Sequence, residues 1–219
     1  MPDRLRRRPR RGARRAAPPR RAEERLAGPR SGSVNLLLVA GTTARASSCR
    51  RLTALIAERA DQTGRLTVGE LDRSLLALPV LDPDRYVSGE LLEDPAVAHL
   101  LKEVAAADAV VLVTPVQHGS LSGALKNTLD HLPDTALADR PVLIAATASA
   151  LHNASGTCDH LRAVVRALGG WAVPTQLVVQ RADLTEPGSL TALTSRIDQA
   201  LDEVLRFATA LGPAAHLGS

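Results

Sequence analysis

The chain has 219 residues, 45% of them apolar, and a formal net charge of +4. That length suits one compact domain with appendages, and no apolar run approaches the ~20 residues of a membrane span. Two cysteines, Cys49 and Cys158, cannot build a disulfide framework, which points to a reducing cytoplasm. With one Trp, one Tyr and one Phe, the core must be made of Leu, Val, Ile and Ala.

The charge is unevenly placed. Residues 1–33 carry twelve Arg against Asp3, Glu23 and Glu24, a local +9 that leaves −5 on the rest. This stretch has no apolar periodicity, so it cannot offset the entropy of ordering and is expected to be a disordered extension or a non-native leader. An Arg-rich arm for anionic surfaces and a transit peptide are the alternatives. No apolar h-region follows it, so it does not read as a signal peptide. The folded part, being mildly acidic, is not expected to bind nucleic acid or membrane.

From Val34 the texture changes, and residues 34–210 read as one domain, with 211–219 as a flexible tail. Val34–Ala40 is a short apolar run ending at Gly41, a buried strand. Leu52, Leu55 and Ile56 share a helical face over 48–60. Leu66–Leu71 is a second strand, and a loop rich in Pro and Asp spans 78–95. Val97, Leu100, Leu101 and Val104 fall at i, i+3, i+4 and i+7 of a helix. Ala109–Val113 is a strand, and Leu121, Leu125, Leu129 and Leu132 mark the next helix. Val142–Ala146 is a strand. Leu161, Val164, Val165 and Leu168 form a helix face closed by Gly169 and Gly170, with Trp171 expected to pack helix on strand. Val173–Gln180 is the fifth strand, with Pro174 near its beginning. Leu190, Leu193, Ile197, Leu201 and Val204 define the last helix.

Apolar runs without alternation suit strands buried on both faces, hence a parallel sheet covered by helices. Five such units predict a flavodoxin-like, doubly wound α/β fold of order 2-1-3-4-5. In such sheets ligands bind beyond the carboxyl ends of the strands. That brings three loops together: 41–48, 114–122 and 147–156.

The first loop joins Thr42, Arg45 and Ser47 to a helix start. It is suited to a phosphate dianion, although Ser47 or Ser48 could equally be a plain N-cap. It lacks the Gly-Lys-Ser/Thr of a P-loop and the GxGxxG of a dinucleotide fold. In the second loop Pro115 sets the turn, and Gly119 and Gly123 allow close approach. The third is small and polar. Cys158 and His160 diverge on their helix, so no metal site is read there. Lys126 and Asp130 are spaced for a helical ion pair.

Thr114-Pro115 to Gly119-Ser120, followed by Gly123-x-Leu125-Lys126-Asn127-x-x-Asp130, resembles the hallmark segment of the NADPH-dependent FMN reductase family. It is similar above all to the reductases that supply flavin to sulfonate monooxygenases. Leu78–Asp84 is similar to that family's Pro-rich loop, and Gly41-Thr42-Thr43-x-Arg45-x-Ser47 to its phosphate loop. The resemblance implies FMN and NADPH, or NADH, as cofactors. It implies that Thr42, Arg45 and Ser47 hold phosphate and that Pro115, Val116, Gln117, His118 and Gly119 line the ring. Thr147, Ala148 and Ser149 would offer backbone contacts. The chain departs from the family in Gln117, where Tyr is usual, and Ala148, where Gly is usual.

Hydride transfer belongs to the cofactors, so no side chain is required as acid or base. His118 and His152 are rim residues facing flavin or substrate. The expected activity is NAD(P)H-dependent FMN reduction, with a partner monooxygenase and a homodimer or homotetramer. The alternatives are a reductase of quinones, azo compounds or another small acceptor, and a flavin-binding protein with little turnover.

Overall fold

The computed structural model describes residues 32–71, 75 and 77–212. The Arg-rich stretch up to residue 31 and the tail from 213 lie outside the described residues.

The strands are β1 (Val34–Ala40), β2 (Leu66–Leu71), β3 (Ala109–Pro115), β4 (Pro141–Ala148), β5 (Trp171–Ala172) and β6 (Leu177–Gln180). The helices are α1 (Ser48–Gln62), α2 (Pro83–Ser88), α3 (Pro95–Ala106), α4 (Gly123–Asp130), α5 (Leu151–Ala167) and α6 (Pro187–Leu211). All strand pairs are parallel, in the order β2-β1-β3-β4-β5, with β6 also on β4. This is the predicted flavodoxin-like order.

Alternate residues of each central strand feed two separate cores. Leu36, Leu38, Val111, Val113, Leu143 and Ala145 meet α1 and α6 on one face. Leu37, Val39, Val110, Leu112, Val142 and Ile144 meet α3, α4 and α5 on the other. Burial on both faces is why the strands read as unbroken apolar runs.

Two segments differ from the sequence reading. The stretch 78–95 is not a bare loop. It holds α2, a 3-10 turn at Glu90–Glu93 and the start of α3. Asp82 and Asp94 each cap a helix whose first residue is proline, Oδ1 accepting from Asp84 and Ala96 N–H at 2.9 Å in each case. An acidic N-cap followed by Pro at N1 starts a helix rather than ending one.

The predicted fifth strand is also broken. β5 pairs Pro141 and Val142, Val173 N–H still reaches the Val142 carbonyl at 2.9 Å, β6 pairs Ala145–Ala148, and 174–176 leave the ladder. Pro174 has no N–H to give. Side chains take over around it: Arg162 donates to the Ala172 and Val173 carbonyls, and Arg196 to those of Gln176 and Val178. The buried Glu203 carboxylate accepts from Thr175 N–H at 2.8 Å and from its hydroxyl at 2.7 Å. Trp171 is only partly covered, beside Arg162, Ala163 and Arg166 of α5. It stands 52% exposed on the short β5.

At the amino ends of the strands Arg140 is fully buried. Its guanidinium donates to the carbonyls of Ala107 (2.8 Å), Ala105 (3.3 Å) and Ala136. Burial lowers its pKa from the usual arginine value. Among the described residues, no helix is long and apolar enough to cross a membrane.

Candidate active site

The three predicted loops do converge, and backbone contacts hold them together. β1 ends at Ala40, and Gly41 N–H continues onto the Val113 carbonyl at 2.7 Å. A Cβ at Gly41 would sit 2.7 Å from Leu125 Cβ and 2.9 Å from Val113 O, so α4 packs there only against glycine. The Ser122 hydroxyl donates to the Gly41 carbonyl at 2.5 Å and accepts Leu125 N–H, capping α4. Ser122 N–H donates to Thr114 Oγ1 at 3.0 Å. Val116 N–H then reaches the Thr147 carbonyl at 2.9 Å, tying the second loop to the end of β4.

In the first loop Ser47 is the N-cap of α1, its Oγ accepting Arg50 N–H at 3.2 Å. The hydroxyl hydrogen remains a donor, so capping and phosphate binding are compatible. Thr42 is buried and its Oγ1 accepts Ala44 N–H at 3.3 Å. Arg45 is exposed beside a cavity of about 380 Å³ that Ser47, Arg51 and Glu70 also line. Guanidinium, hydroxyls and the N-terminal N–H groups of a 15-residue helix make a donor set for an anion.

In the second loop Gln117 and Ser120 exchange backbone bonds at 2.9 and 3.0 Å. His118 at φ 49° and Gly119 at φ 79° occupy the tip. Two positive φ values between paired residues define a type I′ turn, which glycine at the second position makes easy. Gly119 is thus needed for its backbone angle, and no neighbouring protein atom lies within 4 Å of where a Cβ would stand. Gly123 also has open space where a Cβ would stand. Ser120 Oγ lies 3.3 Å from His160 Nδ1, linking the turn to α5.

The third loop is shorter than predicted. Thr147 and Ala148 belong to β4, α5 begins at Leu151, and only Ser149 and Ala150 lie between. Gln180, the last residue of β6, donates from Nε2 to the Ser149 carbonyl at 2.9 Å. His152 is exposed on the first turn of α5, level with this loop.

The hallmark helix serves the Pro-rich segment. Asn127 Nδ2 donates to the Pro79 carbonyl at 2.8 Å, and its Oδ1 accepts Leu81 N–H at 2.9 Å. His131, buried at the end of α4, lies with Nε2 2.9 Å from the same Pro79 carbonyl. Lys126 and Asp130 form the expected i, i+4 ion pair. Cys158 is buried and His160 exposed, so they point apart as read from the spacing. Among the described residues no His, Cys, Asp or Glu cluster is placed to hold a metal.

Ser122 and Gln180 were not singled out from the sequence, and His160 was weighed there only as a metal ligand. Ser122 could have been: a serine just before a helical run is an N-cap signal. Gln180 could have been flagged only by its place at the carboxyl end of a parallel strand. Cavities of about 500 and 780 Å³ lie elsewhere, against α3 and at the carboxyl end of α5. The three loops lie side by side along the carboxyl edge of the sheet.

A sequence model of the family described as NADPH-dependent FMN reductase matches residues 34–183. The FMN-dependent NADPH-azoreductase of Staphylococcus aureus is 44% identical over 87 residues, 39% of this chain and 46% of the relative. That of Staphylococcus haemolyticus is 41% identical over 85 residues, 39% and 45% of the two chains. The chain thus spans about half the length of the curated relatives it matches. Among solved structures, FerB of Paracoccus denitrificans, a flavoenzyme NAD(P)H:(acceptor) oxidoreductase, superposes with TM-score 0.66 at 19% identity, over 80% of this chain and 98% of that one. An NADH:FMN oxidoreductase in its apo form gives 0.62 at 21%, over 82% and 91%. At these identities the structural likeness carries the fold.

Proposed function

The chain belongs to the NADPH-dependent FMN reductase family, and from that premise we propose that it transfers hydride from a nicotinamide to FMN. One observation carries the reading: loops from β1, β3 and β4 are bonded into one shelf at the carboxyl edge of the sheet through Ser122–Gly41 and Val116–Thr147. The residues fit the cofactor. Arg45, Thr42, Ser47 and the α1 N-terminus offer donors to a phosphate, and loops 115–119 and 147–149 offer backbone to a flat ring.

FMN, when bound, supplies the hydride-accepting centre. The protein binds and orients. Arg45 neutralises phosphate charge, and the I′ turn at His118–Gly119 and the end of β4 border the ring. The nicotinamide comes from NADPH or NADH.

An azo or quinone acceptor is a second reading of the same chemistry. It is supported by the azoreductase names of the matched relatives and by the shelf, on which no aromatic ring stands at Gln117. A monooxygenase that receives reduced flavin, a homodimer or homotetramer, and a cytoplasmic site complete the proposal.

The test is direct. The purified protein is titrated with FMN, and NADPH and NADH oxidation is followed with and without free FMN, a quinone or an azo dye. Turnover that rises with free FMN supports flavin supply; turnover saturated by bound FMN with a dye or quinone supports the second reading. FMN binding without oxidation leaves a flavin-binding protein with little turnover. Absence of both binding and oxidation overturns the proposal.

A further inference from the structure

The Ser149–Ala150 peptide is the whole connection between β4 and α5, and one side chain fixes its orientation. Gln180 Nε2 donates to the Ser149 carbonyl at 2.9 Å. Gln180 is itself held: its backbone N–H donates to Asp183 Oδ2 at 2.7 Å, and it pairs Ala148 in the sheet register. The Ser149 carbonyl is therefore drawn towards β6.

A trans peptide is planar, with its N–H opposed to its C=O. Among the described residues no peptide bond is cis. β4 lies between β6 and β3. A planar trans peptide whose Ser149 carbonyl turns to Gln180 on β6 turns its Ala150 N–H the opposite way, and the second loop follows β3 on the opposite side of β4. That N–H has no protein acceptor among the described residues. Ala150 is the N-cap of the 17-residue α5 and provides no side-chain cap, so the first N–H groups of that helix also lack protein partners.

We propose that Gln180 is a positioning residue for flavin reduction: by holding the Ser149 carbonyl, it keeps the Ala150 N–H and the α5 N-terminus presented to the pyrimidine edge of FMN. The inference rests on the FMN reading. Reduced flavin carries negative charge at that edge, and donors and a helix N-terminus placed there favour the reduced form. Without the Gln180 bond the peptide is free to flip, and a carbonyl would then face the developing charge. Gln180 touches no reacting atom.

The experiment compares the wild type with Gln180→Glu, which keeps the shape but loses the donor, and Gln180→Lys, which keeps a donor. FMN affinity is read by fluorescence quenching, the potential of bound FMN by reductive titration, and folding by thermal melting. The expected result for Gln180→Glu is about a tenfold loss of preference for reduced over oxidised flavin, or about 30 mV more negative for a two-electron couple. Its melting temperature should be unchanged, and Gln180→Lys should restore much of the potential. An unchanged potential in Gln180→Glu, or the same drop in Gln180→Lys, overturns the inference alone. A wild type that fails to bind FMN overturns the FMN reading together with it.

Discussion

The Ser122 hydroxyl and the Gly41 carbonyl meet at 2.5 Å across 81 residues of sequence, and this bond joins the first loop to the second. The same Oγ caps α4 through Leu125 N–H. Replacing Ser122 with Ala leaves a buried carbonyl without its donor and removes a cap. Each loss costs about 1–2 kcal/mol. Ser122→Ala should therefore lower the unfolding free energy by about 2–3 kcal/mol in urea titrations. FMN affinity should fall as well, because loop one is no longer anchored.

The turn at His118–Gly119 separates backbone need from side-chain role. Gly119 sits at φ 79°, where a Cβ costs roughly 1–2 kcal/mol. Gly119→Ala should destabilise by about that amount in a thermal or urea melt. His118 is at φ 49°, a region Asn tolerates well in this turn type. His118→Asn should leave stability within about 0.5 kcal/mol, so any change in its KM for FMN or nicotinamide reports the imidazole itself.

Arg140 acts at the opposite edge of the sheet. Its fork satisfies carbonyls from the 105–107 and 136 segments inside the protein. Arg140→Met would strand several buried acceptors at about 1–3 kcal/mol each. A loss of at least about 3 kcal/mol is expected by urea unfolding. Arg140→Lys should fall between, since an ammonium cannot reproduce the planar fork. The kcat per folded molecule should not change in either variant that folds.

Both thiols are buried, and burial pushes Cys49 and Cys158 up to about 12. Neither should react with an alkylating reagent at pH 8 until the protein unfolds. The sign of the pH effect follows from proton counting. Above the ordinary thiol value near 9 the unfolded chain loses these protons while the folded chain keeps them. Their contribution to stability is full below pH 9 and declines as pH rises towards 12. Melts at pH 8 and 10.5 on the wild type and on Cys49→Ala/Cys158→Ala should show a smaller alkaline loss in the variant.

Much of the architecture was legible because burial leaves a periodic trace. Val34–Ala40 and Ala109–Val113 read as strands since both their faces are covered. Val97, Leu100, Leu101 and Val104 read as a helix since one face is. Asp82-Pro83 and Asp94-Pro95 carried helix starts in plain view, yet a composition rich in Pro and Asp read as loop. Gly41 and Gly119 were visible as glycines. The structure distinguishes them: Gly41 is required by the approach of Leu125, and Gly119 by its own φ.

The strand order and the convergence of three loops beyond the carboxyl edge of the sheet follow from apolar runs, helical spacing and the right-handed crossover, all carried in the order of residues. Which polar groups meet is set by packing. Ser122 on Gly41, Asn127 on Pro79 and Leu81, Gln180 on Ser149, and the side-chain network that interrupts the last strand at Pro174 have no periodicity to betray them. Each is one or a few hydrogen bonds brought together by strand register and helix packing. A pairing set by register across the sheet leaves no mark on the local order of residues.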